Sequence, residues 1–227
     1  LFVNLAEKRG FSVSTFRLDL GDSLPELRNG DLLLVLGGPM GIRDIGTSTF
    51  PWLTQEIALI KEALNQGIGI IGVCLGAQLL AYAAGGGVEI LQEEGSDQQL
   101  AEIGWDNIFP QSLDHKSKLI TLLSKPFPAL HWHRDRVLLP TNAELIASSR
   151  RCKEQLFSIG SLAYGVQFHV EIDDKMVNTW IKEDKEFISA ALGGDGQSIL
   201  KQQQKEFGQK TLDSRLEFLN ILFDLLT

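Results

Sequence analysis

Two cysteines, Cys74 and Cys152, are all the thiols in a chain of 227 residues, too few for a disulfide framework at this length. The N-terminus carries no charged-then-apolar leader. Together these absences make the cytoplasm the expected location. Basic residues are also short, 21 against 29 acidic ones for a formal net charge of −8. A nucleic-acid backbone or an anionic membrane surface would meet net repulsion, which leaves small polar ligands and other proteins as partners. Charge is missing altogether from residues 63–88, a stretch long enough to raise the question of a membrane span. Gly67, Gly69, Gly72 and Gly76 interrupt it, Asn65 and Gln78 sit inside it, and no Lys/Arg cluster or aromatic belt flanks it. It therefore reads as two elements of a globular core. Internal repeats are absent too.

What is present is enough apolar surface, 44% of residues against 22% charged, for one large α/β domain or a domain with a small appendage. Helical and strand patterns alternate along the chain, which implies a doubly wound, mostly parallel sheet with helices on both faces. Residues 1–9 have helical spacing, 11–18 read as a strand, and 32–36 form a short apolar run closed by Gly37-Gly38-Pro39. An amphipathic helix over 51–65, a buried strand over 67–73 and a helix over 75–84 ended by Gly85-Gly86-Gly87 follow. Between about 90 and 140 short alternating runs such as 118–123 predict a small antiparallel section, and 144–149 and 162–170 read as further strands. Beyond Glu171 the pattern turns helical over 172–191 and 212–226, with the Gly193-Gly194-Asp195-Gly196 and Gln202-Gln203-Gln204 tracts read as a mobile linker. The expected organisation is a domain over 1–171 and a helical C-terminal extension over 172–227 packed on it. The chain opens on Leu1 without a strand before its first helix, so a preceding strand is expected to be missing.

The chemistry concentrates at a few points. Gly72-Val73-Cys74-Leu75-Gly76 lies where a buried strand becomes a helix, and small residues on both sides are what so sharp a turn needs. A sulfur there meets the unpaired N–H groups and positive dipole end of the helix, which favour thiolate over thiol. Gln78, four residues on, shares the helix face of Cys74 and either touches a ligand at the sulfur or is a surface glutamine without a task. In Gly165-Val166-Gln167-Phe168-His169-Val170-Glu171, strand alternation puts His169 and Glu171 on one side, a base with its orienting carboxylate. The Gly37-Gly38-Pro39 turn brings backbone N–H groups that, with that of Leu75, suit an oxyanion hole, although such a triplet also reads as an ordinary turn. His131 and His133 lie close in sequence without a companion Cys pair, which favours a loop near the active site over a metal centre. Cys152 has no glycine-flanked turn and reads as structural. No cofactor or metal is called for.

Taken in order, the Gly-Gly-Pro turn, Gly72-Val73-Cys74-Leu75-Gly76-Ala77-Gln78, Glu102-Ile103-Gly104-Trp105, His133-Arg134-Asp135 and Gln167-Phe168-His169-Val170-Glu171 make the chain resemble the class I glutamine amidotransferases, most closely stand-alone proteins similar to the amidotransferase domain of GMP synthetase. The resemblance implies hydrolysis of a γ-glutamyl amide through a thioester on Cys74, with His169 protonating the ammonia, Glu171 orienting His169, the N–H groups of Gly38 and Leu75 holding the oxyanion, and Gln78 contacting glutamine. It also implies that a synthetase, as a second domain or a separate chain, accepts the ammonia. Two positions depart from the family pattern, Arg134 in place of glycine and Val170 in place of proline, and they bear on the pocket rim and on the loop that holds His169. Two other readings stay open: a self-sufficient γ-glutamyl hydrolase or peptidase acting on conjugates, and a binding protein with the fold but no turnover.

Overall fold

The computed structural model describes residues 1–112 and 117–227. Helix α1 (Phe2–Lys8) leads through irregular chain to β1 (Leu32–Val35), then α2 (Trp52–Gln66), β2 (Gly69–Val73), α3 (Leu75–Ala83) and β3 (Gly87–Ile90). The middle of the chain holds β4 (Glu102–Asn107), β5 (Phe109–Pro110), α4 (Lys118–Leu123), β6 (Pro128–His133), β7 (Asp135–Leu138) and β8 (Ala143–Ser148). Strands β9 (Leu156–Ile159) and β10 (Ala163–Val166) precede four helices, α5 (Asp174–Glu183), α6 (Lys185–Leu192), α7 (Gly196–Phe207) and α8 (Leu212–Leu226).

A six-stranded sheet in the order β1-β2-β10-β9-β8-β5 forms the centre, and β3-β7 and β4-β6 are separate antiparallel pairs. Strands β1, β2 and β10 run parallel, with Leu34 opposite Ile71 and Val166 opposite Val73. The other half of the sheet, β10 through β9 and β8 to β5, pairs antiparallel. Every residue of β2 is buried, as a strand covered on both faces requires. Its side chains alternate between two cores. Ile71 and Val73 pack among Phe2 of α1, Leu122 of α4 and Phe218 and Leu222 of α8. Ile70 packs on the opposite face among Leu53 and Ile60 of α2 and Leu79 of α3. The α/β class with helices on both faces is thus the observed one. The uncharged stretch 63–88 divides into the end of α2, β2, α3 and the start of β3. Among the described residues no helix is long and apolar enough to cross a membrane.

Four local expectations differ from the structure. Residues 11–17 are irregular rather than a strand and join no sheet; Phe11 packs its ring on Phe223 at 5.8 Å instead. Residues 118–123 are helix α4, and Leu119, Leu122 and Leu123, spaced i, i+3, i+4, all turn inward. A six-residue run is too short for alternation to tell the two periods apart. The expected helix over 172–191 is broken into α5 and α6 at Asp184, whose backbone leaves the helical region (φ −101°, ψ 44°) and whose carboxylate accepts the Trp132 indole N–H at 2.8 Å. The glutamine tract is part of α7, not a linker: Gln203 Oε1 accepts the Trp105 backbone N–H at 3.0 Å, and the Gln204 amide donates to Asp174 at 2.8 Å. These glutamines are polar because they meet polar groups across helix and strand.

Candidate active site

Cys74 is the joint between β2 and α3, and its backbone (φ 53°, ψ −109°) makes it the one non-glycine residue with positive φ among those described. Such a conformation costs about 1–3 kcal/mol and persists only where the surroundings over-determine it. The surroundings here are two glycines. A Cβ on Gly72 would run into the carbonyl of Gly76, and a Cβ on Gly76 would run into the carbonyl of Val35. Only their absence lets α3 start so close to the sheet. The α3 ladder begins with Ala77 and Gln78 donating to the Cys74 carbonyl at 3.0 and 3.1 Å, so the N–H groups of Leu75 and Gly76 lie ahead of it, at the positive end of the helix. Cys74 itself is 8% exposed.

The Cys74 N–H donates to the Val166 carbonyl at 2.8 Å, which ties the end of β10 to the cysteine turn. Past Val166 the chain leaves the sheet, short of the strand expected to reach 170. His169 is placed instead by its own N–H, which donates to Leu130 of β6 at 2.8 Å in an isolated antiparallel bridge. The i, i+2 relation still holds, and His169 Nδ1 lies 2.7 Å from Glu171 Oε1. With the carboxylate as acceptor, Nδ1 is the protonated nitrogen and Nε2 is the one left for chemistry. Burial disfavours the charged imidazole, but the charges of Glu171 and Cys74 and side-chain hydrogen bonding to both outweigh it and push His169 up to about 10. Burial works against the Glu171 carboxylate too, yet the His169 charge and hydrogen bond, with the backbone amides at 170 and 171, hold it below its usual range. The arrangement is a sulfur beside an imidazolium that a buried carboxylate keeps charged, which is chemically a nucleophile with a proton donor for its leaving group.

The Gly-Gly turn borders the same space. A Cβ on Gly37 would stand 3.3 Å from the Cys74 Cβ and 3.5 Å from His169 Cε1, and one on Gly38 3.3 Å from the Leu75 side chain. Gly38 and Leu75 therefore adjoin, and Gly37, which the motif contains but sequence reasoning did not single out, faces both Cys74 and His169. Gln78 is buried at 4% exposure and its amide donates to Gln167 at 3.3 Å. That bond assigns it to the floor between α3 and the 167–171 segment. Trp180 of α5, also missed, packs edge-on against the His169 ring at 4.8 Å. No spacing in the sequence links them; Trp180 shares the apolar stripe of α5 with Met176, Val177 and Ile181, so it read as core.

His131 and His133 lie on β6, not in a loop, and Glu102 of β4 pairs opposite His133. Glu102 accepts from Ser149 Oγ at 2.5 Å and Gln155 Nε2 at 2.5 Å, and His133 Nε2 lies 3.1 Å away. Glu102, His131 and His133 place their ligand atoms within 4.8 Å of one another and are the described residues with the donor types to hold a metal ion. The Gln155 amide nitrogen, 2.5 Å from Glu102 and 3.2 Å from His133, already fills the space between those two. Burial lowers His131 to about 4, so it is neutral near pH 7. Gly104, at φ 99°, leaves room for the Gln203 side chain, which accounts for the glycine of the Glu-Ile-Gly-Trp motif. Cys152 is 1% exposed, and burial reinforced by Glu102 and Glu154 pushes its thiol up to about 12. Arg134 is exposed and lines an open cleft of about 1270 Å³ with Arg136, Arg150 and Arg151; neither Cys74 nor His169 is among the residues around it.

A doubly covered sheet that presents a strained cysteine at a strand-to-helix turn, beside a His–Glu pair on the segment that follows the neighbouring parallel strand, defines an α/β protein with a Cys-His-Glu constellation. The chain belongs to the class I glutamine amidotransferase family, whose model matches residues 2–184. It is 30% identical over 195 residues to the glutamine amidotransferase-like protein YfeJ of Salmonella typhimurium, covering 85% of this chain and 78% of that one. One of the subunits of the glutamine-hydrolyzing GMP synthase of Methanococcus aeolicus is 34% identical over 133 residues, 58% of this chain and 65% of that one. Among solved structures, a glutamine amidotransferase from Methylobacillus flagellatus superposes with a TM-score of 0.80 at 26% identity, covering 100% of this chain and 89% of that one. A Thermotoga maritima glutamine amidotransferase gives a TM-score of 0.75 at 26% identity, over 97% and 90%.

Proposed function

We propose that the protein hydrolyses the side-chain amide of glutamine through a γ-glutamyl thioester on Cys74 and delivers the ammonia to a synthetase partner. The observation that carries this reading is the juxtaposition of the strained Cys74 turn with the charged His169–Glu171 pair. Cys74 Sγ attacks the amide carbonyl carbon, and the N–H groups of Gly38 and Leu75 receive the charge that develops on its oxygen. His169 passes its proton to the departing nitrogen, so that ammonia rather than an amide anion leaves. Water then attacks the thioester as His169 takes a proton from it, the sulfur leaves as thiolate, the carboxylic acid formed ionises to glutamate, and the thiolate–imidazolium pair is restored. Glu171 keeps His169 in the required tautomer and stabilises its charge throughout. Gln78, whose amide donates to Gln167, is the residue of α3 that the family resemblance would have contact the substrate. The family membership and the likeness to one chain of a GMP synthase support the glutamine substrate and the synthetase partner.

Incubation of the protein and of Cys74→Ala with a glutamine-like chloroketone, read by intact-mass and peptide mass spectrometry, tests the reading. One adduct on Cys74 that free glutamine suppresses is expected. Labelling that only larger γ-glutamyl compounds suppress would transfer the same chemistry to conjugates, and absence of labelling would remove the catalytic assignment.

A further inference from the structure

Arg215 of α8 is the most deeply buried cation among the described residues, 3% exposed, and among those residues no carboxylate lies within salt-bridge distance of it. Taking a guanidinium out of water costs several kcal/mol unless its donors are all met. Four of them are met, three by backbone carbonyls. Nη1 donates to the carbonyls of Val170 at 3.2 Å and Ile172 at 2.7 Å, Nη2 to Gly208 at 2.8 Å and Nε to Thr211 Oγ1 at 3.2 Å. The cation lies over the Trp105 ring at 5.7 Å, and Phe207 stacks on Trp105 at 6.2 Å.

The two carbonyls that share Nη1 belong to the residues immediately before and after Glu171. One guanidinium nitrogen thus holds the peptide group that precedes Glu171 and the carbonyl of the residue that follows it, bracketing the residue whose carboxylate must stand 2.7 Å from His169. Segment 167–172 lies outside the regular sheet and is held by single bonds, Gln167 N–H to Gln155 and His169 N–H to Leu130 at 2.8 Å each and the Leu1 amino group to the Glu171 carbonyl at 3.3 Å, so each further anchor counts. Burial holds Arg215 below its ordinary value, and the Glu171 and Asp174 charges partly offset this by favouring the charged guanidinium. We infer that Arg215 is a positioning residue for Glu171, through which helix α8 and the Glu-Ile-Gly-Trp strand set the charge state of His169. The inference rests on reading Cys74, His169 and Glu171 as the reacting set. Arginine suits the task because its planar fork reaches carbonyls in several directions at once, which a lysine ammonium does not reproduce.

The test uses the full chain and two readouts: kcat and KM for glutamine hydrolysis, and the pH dependence of Cys74 alkylation by iodoacetate. That anion reacts fastest while His169 is charged, so the alkaline fall of its rate reports the imidazolium. Arg215→Met is expected to lower kcat about tenfold or more while KM stays within about twofold, the usual effect of loosening the support of a reacting group. The alkaline fall is expected to move to lower pH, because a displaced carboxylate no longer sustains the imidazolium. Arg215→Lys should recover part of the loss, and in a Glu171→Gln background Arg215→Met should cost little more, since both remove the same interaction. A folded Arg215→Met protein with an unchanged alkaline fall and unchanged kcat would overturn the inference. If Arg215→Met does not fold, Arg215→Lys decides: an alkaline fall at the wild-type pH overturns it, and a lowered one supports it. A wild-type protein that reacts with iodoacetate but not with glutamine would count against the proposed function, while the shift of the alkylation profile would still decide the role of Arg215.

Discussion

Gly76→Ala sets two ordinary effects against each other, and the structure decides the sign. In a helix interior, alanine is more favourable than glycine by roughly 0.8–1 kcal/mol. Gly76 stands in the first turn of α3, where a new Cβ would overlap the Val35 carbonyl oxygen and its carbon, both backbone atoms of a paired strand. Neither can rotate away, so α3 must withdraw from the sheet. Overpacking of this kind costs about 1–3 kcal/mol, occasionally more, and a backbone obstacle belongs at the upper end. The net expectation is a loss of about 1–2 kcal/mol, which moves the urea midpoint down by roughly 0.5–1 M for a typical dependence on denaturant. Withdrawal of α3 also carries the Leu75 N–H and the Cys74 sulfur away from His169, so the Cys74 alkylation rate at pH 8 should fall as well. Gly194→Ala is the control, because open space surrounds that position; it should leave both quantities near the wild type or raise stability by a few tenths of a kcal/mol. A Gly76→Ala protein as stable and as reactive as the wild type would refute the close approach of α3 to β1 on which the cysteine turn depends.

Alkylation at pH 8 should modify Cys74 alone, since Cys152 is held as a thiol by burial and by Glu102 and Glu154; peptide mapping after brief iodoacetamide treatment checks this, and modification of Cys152 in the folded state would contradict it. Glu171→Gln removes the charge that raises His169 to about 10, so the alkaline limb of glutaminase activity should move down in pH and kcat should fall by about a hundredfold or more, as when the orienting acid of a triad is neutralised. Glu56 of α2 is pushed up to about 7 by burial; the folded state therefore binds its proton more tightly than the unfolded state between about pH 4.5 and 7, and stability declines as pH rises through that window. Glu56→Gln should remove the decline and raise stability at pH 8 by about 1 kcal/mol in urea titrations, with no effect at pH 4.

The parts of the fold that sequence exposed are those in which one physical signal dominates. Strand β2 and helix α3 follow from an apolar run cut by glycines, and α2 and α8 from apolar stripes of three or more turns. The cysteine turn was legible because glycines flank it on both sides, although only the obstacle at Gly72 is local, that at Gly76 being the Val35 carbonyl of β1. What remained hidden depends on partners distant in sequence. Residues 11–17 have strand-like composition but join no sheet, and α4 is too short for its period to show. The break at Asp184 exists because Trp132, 52 residues away, claims its carboxylate. The glutamines of α7 looked like a linker since polar side chains usually face water, whereas Gln203 and Gln204 serve β4 and α5. Within the site, Cys74, His169 and Glu171 were named from motif and alternation, but His169 owes its place to Leu130 rather than to strand β10. Trp180 and Arg215 reach the site from the C-terminal helices, where no motif marked them.

That contribution leads to a prediction about the 171/172 boundary. If residues 1–171 were a self-sufficient unit carrying an appended helical extension, a chain ending at 171 would fold and keep its cysteine chemistry. The packing argues the other way. Phe218, Leu219, Leu222 and Phe223 of α8 are each 2% exposed or less and lie in the same core as Ile71 and Val73, the residues beneath the cysteine turn. Burying a side chain of this size contributes roughly 1.5–3 kcal/mol, so these four alone supply about 6–12 kcal/mol, comparable to the entire stability of about 5–15 kcal/mol that single domains possess. The cut would also remove the partner of the Val170 carbonyl and leave it buried without a donor. A chain ending at 171 is therefore expected to be aggregated or to lack near-UV circular dichroism, and its Cys74 should alkylate at the rate of a free thiol. A soluble truncation with a cooperative melt and glutamine-protected labelling of Cys74 would show that α8 is an accessory after all, and that the parallel strands hold the His169–Glu171 pair without it.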